Sequence, residues 1–280
     1  MNNISGVKIQ LKNGNYSLKS IDFPNNISSL NQATMTLPGG VYTTFRTYDQ
    51  NKIIFWNKHI ERLNQSAKLE GRTIEIDKIP LRIALKEFVN RQITDLRIRI
   101  LISIFEDPIT IHFLSEELIP VNPKAYNLGV EVVTTRTIRE NPKAKRTDFI
   151  NQQINFHLGP EVNEAIIEDK AGNLLEGYSS NLFAIIKGII YTENDSVLHG
   201  ITRSIVLEEA AKCEIPIIFT PININNLHEI NEMFITSTSR AVLPVIKINR
   251  EIVGDGTPGH ITKLMLKHYL SRLETDLENL

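Results

Sequence analysis

The hydrophobic pattern of the first third of the chain alternates between strand and helix periods. VYTTFRTY (residues 41–48) is rich in residues that favour strands. Apolar residues then recur at helical spacing, which predicts a helix over residues 57–69, with Asn57 as the N-cap and Gly71 as the stop. A second helix is predicted over residues 79–93. The alternating run LRIRILISIF and, after a Glu-Asp-Pro turn, the run ITIHFL predict two further strands.

The segment LIPVNPKAYN has two prolines and little periodicity, so it predicts a domain boundary near residue 120. The elements predicted beyond it are the strand GVEVVTT, a helix over 148–158, strands through 164–192, the helix ITRSIVLEEAAK, the strands EMFITSTS and PVIKI, and a closing helix from about 260. Strands and helices mix without strict β-α-β alternation, which indicates an α+β fold. We expect a smaller domain over 1–119, a linker over 120–129 and a larger domain over 130–280.

Composition narrows the class of protein. The chain has 280 residues, of which 41% are hydrophobic, enough for one large or two modest cores. Its 31 basic and 32 acidic residues nearly cancel, which argues against binding to nucleic acid or to an anionic membrane. One cysteine, Cys213, excludes an intramolecular disulfide framework and a multi-cysteine metal site, and we expect no metal. The absence of a signal-like start and of a membrane-length apolar run leads us to expect a cytoplasmic protein.

Three segments could bind an anionic phosphate. Gly200 precedes a predicted helix whose first amides, those of Ile201 and Thr202, would point outward at the positive end of the helix dipole. The alternative is an ordinary helix start capped by Thr202. The hydroxyl-rich run TSTSR (236–240) could grip a ligand or form a solvent-exposed turn. Arg62 lies beside apolar helix positions, although surface arginines are common.

Two further segments carry candidate chemistry. RENPKAKRTDFINQQ contains Lys143 and Lys145 near Arg146, and a lysine beside other cations has a lowered pKa and can form a Schiff base. The alternative is a solvated basic turn. In LLEGYSSNLFAII, Glu176 places a carboxylate among residues that favour burial. A buried carboxylate requires a cationic partner.

In combination and in order, these segments resemble the class IV aminotransferases, which are pyridoxal 5'-phosphate (PLP) enzymes of fold type IV. The resemblance covers roughly Gly40 to Leu266 and rests on GGVYTTFRTY with HIERLNQSAKL, PKAKRTDFI, LLEGYSSNLF, GITR, FITSTSRAVLPV and GDGTPGHITKLM. It implies a two-domain enzyme with a smaller N-terminal α/β domain and a larger C-terminal mixed-sheet pseudo-barrel domain. It also implies a homodimer.

The resemblance assigns roles to individual residues. Lys145, three residues after the proline, is the Schiff-base lysine in preference to Lys143. Glu176 contacts the pyridine nitrogen of PLP, which answers the need for a cation. The remaining implied cofactor ligands bind the phosphate and are Arg62, Ile201, Thr202, Thr238 and, with it, Ser237.

The implied function is transfer of an amino group between an α-amino acid, branched-chain-like or D, and a 2-oxo acid through a lysine aldimine. One alternative is aminodeoxychorismate lyase, which forms p-aminobenzoate and pyruvate with the same cofactor. Another is a catalytically inactive α+β binding protein. The lysine, the glutamate and the phosphate ligands are all present, which argues against the inactive alternative.

The substrate carboxylate requires its own positive pocket. Arg97 and Arg99 stand two apart on a strand, hence on one face, and Arg99 matches the arginine of the Tyr-x-Arg pattern of branched-chain enzymes. Arg240 is a further candidate, and Tyr42 could form a wall of the pocket. Solvent-facing arginines and a core tyrosine are the alternatives. The family often has Phe-Glu where this chain has Tyr42-Thr43, and the Arg-Gly strand motif of D-amino-acid enzymes is missing, so substrate class and stereochemistry stay open.

Overall fold

The computed structural model describes residues 4–12, 15–156, 158–159 and 161–280. The α-helices are α1 (Leu30–Met35), α2 (Trp56–Leu69), α3 (Lys78–Val89), α4 (Lys124–Leu128), α5 (Asp148–Asn155), α6 (Ile201–Lys212) and α7 (His260–Asp276). The first nine strands are β1 (Ser5–Lys12), β2 (Asn15–Ser20), β3 (Val41–Arg46), β4 (Lys52–Ile54), β5 (Leu96–Ser103), β6 (Thr110–Glu117), β7 (Val130–Thr135), β8 (Val162–Glu168) and β9 (Asn173–Gly177). The others are β10 (Asn181–Ile186), β11 (Ile189–Tyr191), β12 (Ile217–Ile218), β13 (Ile222–Asn223), β14 (Glu232–Ser237), β15 (Ala241–Ile248), β16 (Glu251–Ile252) and β17 (Leu277–Asn279).

The chain forms two compact units. The first comprises Met1–Ile119, Ala144–Phe156 and Asp276–Leu280, and the second comprises Pro120–Lys143 and His157–Thr275. The segment predicted as a linker includes the short helix α4. Among the described residues, no helix is both long enough and apolar enough to cross a bilayer.

The first unit is built on a five-stranded antiparallel sheet in the order β2-β1-β6-β5-β3. The apolar face of α2, formed by Ile60, Leu63 and Ala67, is fully buried in the same core as strand residues such as Phe45 and Ile98. This matches the helical spacing in the sequence, since one stripe of the helix must pack on the sheet. The helix α2, which carries Arg62, and the strand β3, which carries Tyr42, are therefore held together by a shared core.

The boundaries of α2 differ in part from the prediction. The prediction of Asn57 as N-cap is wrong, because the helix begins at Trp56 after Phe55, whose φ of 57° is left-handed. The predicted stop is confirmed, since Gly71 follows the helix with a φ of +74°. The next helix, α3, is capped by Asp77 and ends at Val89, before the predicted 93.

The second unit contains a ten-stranded mixed sheet that closes on itself. The strands β10, β14, β15, β7, β8 and β9 pair in that order, and a pairing of Asn181 with Glu176 joins β10 back to β9. The β15–β7 and β7–β8 pairs are parallel, whereas the other pairs in the ring are antiparallel. The expectation of an α+β fold with a mixed-sheet barrel is confirmed, and Glu176 lies where the ring closes.

Two further helices, one in each compact unit, follow the predicted pattern. The helix expected over 148–158 is α5, which ends at Asn155, and residue 157 lies outside the described residues. The helix ITRSIVLEEAAK is α6 with the predicted bounds. No group of three or more His, Cys, Asp or Glu side chains suited to a metal ion occurs in the described part of the chain.

Candidate active site

Lys145 lies beside the start of β3, where its neighbour Arg146 forms an isolated antiparallel bridge with Val41. Its backbone N–H donates to Ser66 Oγ on α2 (3.1 Å), and its carbonyl accepts from the Tyr42 N–H (2.9 Å). Two residues on, the Thr147 N–H donates to the Gly40 carbonyl (2.9 Å), and Thr147 Oγ1 accepts from the Gly40 N–H (2.9 Å). The backbone of Lys145 is therefore held on both sides.

Close packing and charge fix the same segment. A Cβ at Gly40 would collide with the Ile102 carbonyl oxygen, so only glycine permits this approach of the chains. Arg146 forms ion pairs with Glu70 (3.0 Å) and Asp148 (2.8 Å). The cation beside Lys145 that the sequence suggested is thus engaged in anchoring the segment.

The two candidate lysines differ sharply in surroundings. Lys143 is exposed and pairs with Asp195 at 3.3 Å, with side-chain exposures of 44% and 84%. Lys145 is half-buried, and its Nζ lies 4.9 Å from the centroid of the Tyr42 ring. The same ring lies 4.4 Å from Cζ of Arg99, so two cations face one aromatic side chain.

Arg62 and His59 project from α2 close to Lys145. Arg62 is half-buried, and His59 is only 1% exposed. Burial lowers the pKa of His59 well below 6.5, and the nearby charges of Arg62 and Lys145 lower it further. Its Nδ1 lies 2.7 Å from Thr43 Oγ1, whereas its Nε2 has no hydrogen-bond partner among the described residues. The sequence predicts Arg62 but not the contact between His59 and Thr43, because nothing in the local pattern distinguishes His59 from an ordinary helix residue.

The two strand arginines are held by internal partners. Arg99 is 2% exposed and donates to Thr34 Oγ1 (2.6 Å) and Asn31 Oδ1 (2.9 Å), and burial lowers its pKa to about 10. Arg97 forms an ion pair with Glu116 (2.8 Å). Their spacing on β5 is as predicted, but these contacts anchor other segments of the unit. Binding of a substrate carboxylate by either arginine stays a prediction.

Glu176 is 2% exposed on β9 and has a cationic partner in its own unit. It accepts from Nη1 of Arg139 (2.6 Å), from Nδ2 of Asn181 (3.3 Å) and from the Leu198 N–H (3.1 Å). The side chains of Glu176 and Arg139 are 3% and 8% exposed, so a guanidinium compensates the buried carboxylate. Arg139 lies in the irregular segment after β7, where no periodicity marks it.

The N-terminus of α6 is held against the barrel by Asn181. The Asn181 amide donates to the Leu198 carbonyl (2.6 Å) and accepts from the Gly200 N–H (3.2 Å). A Cβ at Gly200 would collide with Asn181 Oδ1, and no side chain caps the helix. The helix thus begins without a side-chain cap, and anion binding by the first-turn amides of Ile201 and Thr202 stays a prediction.

The end of β14 and the turn after it contain the predicted hydroxyl groups. Thr236 pairs with Asn181 on β10, Ser237 is the last residue of β14, and Thr238 follows it. Thr238 is half-buried, and its hydroxyl makes no hydrogen bond within the described part of the chain. Its hydroxyl can therefore donate to a ligand without giving up a protein contact.

Arg240, at the end of this turn, forms a hydrogen-bond network that, among the described residues, does not include Glu176 or Asn181. Its Nη2 donates to Glu164 Oε2 (2.7 Å) and to Ser179 Oγ (2.6 Å), and its Nε donates to Ser237 Oγ (3.1 Å). The Glu164 carboxylate is buried and also accepts from the Ser180 hydroxyl (3.1 Å). Arg240 thus stabilises a second buried carboxylate, and its contact with substrate stays a prediction.

Comparison with known proteins identifies relatives over most of the chain. The family model for class IV amino-transferases matches residues 40–248. A putative branched-chain-amino-acid aminotransferase of Methanocaldococcus jannaschii is 27% identical over 253 residues, which is 82% of this chain and 85% of the relative. A D-alanine aminotransferase of Staphylococcus aureus is 35% identical over 111 residues, 39% of each protein. The crystal structure of a putative branched-chain amino acid aminotransferase from Thermotoga maritima matches with a TM-score of 0.74 at 26% identity, covering 94% of each chain.

Proposed function

The chain belongs to the class IV aminotransferase family of PLP-dependent enzymes, and we propose that it moves the amino group of a branched-chain α-amino acid to a 2-oxo acid. The match in fold to the Thermotoga maritima protein supports the fold type IV architecture. The substrate class is supported by the relative in Methanocaldococcus jannaschii, which aligns over most of both chains. The observation that carries the chemistry is the fixed, half-buried lysine at 145.

The residues present fit the chemical groups of PLP. The PLP aldehyde forms a Schiff base with a lysine amine. Lys145 is half-buried against the Tyr42 ring, and both it and Arg62 lie near His59. An anionic phosphate requires donors, and the open amides at the start of α6 supply them, together with the Thr238 hydroxyl. A protonated ring nitrogen requires a carboxylate, and Glu176 is the buried carboxylate that matches the family motif.

PLP, when bound, supplies an electron sink that stabilises negative charge at the substrate Cα. We propose that Lys145 would hold the cofactor covalently and would move the proton at the substrate Cα as general acid and base. Glu176 would favour the protonated ring nitrogen, and Arg139 holds Glu176 in place by their 2.6 Å ion pair. Arg62, Ile201, Thr202, Ser237 and Thr238 bind the phosphate in this proposal.

A D-amino-acid donor is the second candidate. The D-alanine aminotransferase of Staphylococcus aureus has the higher identity, 35%, but over only 39% of the chain. The match over 111 residues supports aminotransferase chemistry in general. The match over 253 residues at 27% identity supports the branched-chain assignment. Donor stereochemistry therefore separates the two candidates.

The proposed function is tested with a donor panel. The PLP-loaded protein is incubated with 2-oxoglutarate and with the L and D forms of valine, leucine, isoleucine and alanine, and glutamate formation is measured. We expect turnover with branched-chain donors and ping-pong kinetics. Preference for D-alanine would establish the second candidate. Release of pyruvate from aminodeoxychorismate, without amino transfer from any donor, would replace both with the lyase reaction.

We further propose that the protein is a cytoplasmic homodimer, as the family resemblance implies. Light scattering on the eluting peak of a size-exclusion column should give twice the chain mass of 31.8 kDa. A mass equal to one chain, at the concentration used for the kinetic assays, would contradict the dimer. Cell fractionation followed by immunoblotting tests the location.

A further inference from the structure

His59 presents a buried nitrogen without a partner. Its side chain packs on Phe45, with ring centroids 4.9 Å apart, and Nδ1 is bound to Thr43 Oγ1. Nε2 is buried and makes no hydrogen bond with any described residue. A buried polar atom without a partner is uncommon, because its desolvation is not compensated. Such an atom beside a candidate active-site lysine suggests that a ligand supplies the missing partner.

The contact with Thr43 determines which nitrogen carries the hydrogen. Thr43 is fully buried, and His59 Nδ1 is its hydroxyl's only hydrogen-bond partner in the part of the chain that the structure describes. The single hydroxyl hydrogen of threonine therefore donates to Nδ1, since it would otherwise remain unsatisfied. Nδ1 is then the acceptor, and the hydrogen of the neutral ring is on Nε2.

The surroundings define the chemistry of the missing acceptor. Burial and the charges of Arg62 and Lys145 lower the pKa of His59, so the ring is neutral and Nε2–H is a donor. His59 and Arg62 are three residues apart on α2 and lie on the same face. Lys145 is tied to the same helix through Ser66. A donor next to two cationic side chains favours an anionic oxygen as its acceptor.

We propose that His59 is a further ligand of the cofactor phosphate, donating from Nε2, and that Thr43 is a positioning residue that fixes the required tautomer. The inference rests on the proposed function only in requiring that PLP binds. On one face of α2, His59 would provide a neutral hydrogen-bond donor to the phosphate beside the charged Arg62. Neutrality of the buried His59 ring matters here, because a third full charge beside Arg62 and Lys145 would be repelled by both.

The test compares PLP with pyridoxal, which lacks the phosphate. Dissociation constants of both are measured for the cofactor-free wild-type, His59→Leu and His59→Gln proteins. His59→Leu should weaken PLP binding by about 10- to 100-fold, the effect of one lost hydrogen bond to a charged group, and leave pyridoxal binding within about twofold. His59→Gln keeps an N–H donor and should recover most of the affinity for PLP. The ³¹P resonance of bound PLP should move in His59→Leu.

Thr43 variants test the positioning role. In wild-type protein and in Thr43→Ser, ¹⁵N NMR of the imidazole should show the hydrogen on Nε2, whereas Thr43→Val should show loss of that single tautomer. PLP affinity should fall in Thr43→Val and not in Thr43→Ser.

The outcomes separate the inference from the proposed function. Equal losses of PLP and pyridoxal affinity in His59→Leu, or no loss of either, would overturn the ligand role while leaving the proposed function in place. A wild-type protein that binds neither PLP nor pyridoxal would overturn the proposed function together with the inference.

Discussion

The barrel unit contains a buried ion pair between the Glu176 carboxylate and the Arg139 guanidinium. Glu176 and Arg139 are 2.6 Å apart, and both side chains are almost completely removed from water. Each ion in such a pair has lost its hydration, and only the partner and the added hydrogen bonds offset that loss. The position of Glu176 therefore depends on residues outside its own strand.

Removing the negative charge should destabilise the protein strongly. Glu176→Gln removes the carboxylate that forms a 2.6 Å ion pair with the buried Arg139 guanidinium, and we expect the free energy of unfolding of the PLP-free protein to fall by about 3–5 kcal/mol. Urea unfolding followed by circular dichroism measures the change. Lys143→Ala is the matched control, because its pair with Asp195 is exposed and contributes about 0–1 kcal/mol. Equal stability of the two variants would contradict this account.

Contiguous motifs made the candidate residues Lys145 and Glu176 visible in the sequence. Their partners were not visible, because the contacts depend on how distant segments pack. Arg139 is 37 residues from Glu176, and Thr43 is 16 residues from His59. Barrel closure and the packing of α2 on β3 create these contacts, and no local spacing encodes either.

Asn181 connects three elements at the point where the barrel closes. It pairs with Glu176 across the β9–β10 ladder, accepts from the Gly200 N–H at the start of α6, and lies opposite Thr236 on β14. The amide side chain fits against Gly200 only because that residue has no Cβ. This close contact thus helps to position the N-terminus of α6.

Adding one methyl group at this contact should loosen the start of α6. Gly200→Ala forces Asn181 to move, which weakens its bonds to Gly200 and Glu176, and we expect a loss of about 1–3 kcal/mol in stability with weaker PLP binding. Gly159→Ala is the control, because the nearest atom, on Val162, is 4.0 Å from the added carbon. Denaturant titration and PLP titration of both variants check the prediction, which fails if they behave alike.

Long elements with strong periodicity were predictable, and short ones were not. The helical stripe of α2 and the run that forms α6 are confirmed, whereas the β1–β2 hairpin and the six-residue helix α1 were missed. α1 is too short to be stable alone and is held by tertiary contacts, including hydrogen bonds from Arg99 to Thr34 and Asn31. The left-handed Phe55 before α2 likewise has no signal in residue type.

The sequence predicts two domains with a boundary near residue 120, but not that two later segments belong to the first compact unit. Residues 144–156 and 276–280 belong to the first unit although the chain between them lies in the second. β17, near the end of the chain, pairs with β4 in that first unit. These late segments join the first unit through contacts between residues more than 200 positions apart, such as the hydrogen bond from the Trp56 N–H to Glu278.

Acid should destabilise the folded protein through its buried histidines. Burial, with repulsion from Lys8 as a smaller cause, lowers the pKa of His112 from 6.5 to about 4. The unfolded chain takes up a proton near pH 6.5 that the folded protein resists, so this contribution is complete above 6.5 and is lost as pH falls toward 4. His59 shifts in the same direction.

Replacement of His112 measures that contribution. The free energy of unfolding is compared at intervals between pH 7 and pH 4 for the wild-type protein and His112→Gln. We expect a shallower decline in the variant, since one proton-linked difference between the folded and unfolded states has been removed. Parallel curves for the two proteins would show that His112 does not contribute.

The covalent attachment of PLP to Lys145 is tested by reducing the PLP-loaded protein with borohydride and sequencing the labelled peptide by mass spectrometry. We expect the label on Lys145 in the wild-type protein and in Lys143→Ala, and no label in Lys145→Ala, because the fixed lysine beside Tyr42 is the one proposed to hold the cofactor. Label on Lys143, or undiminished label in Lys145→Ala, would contradict the account.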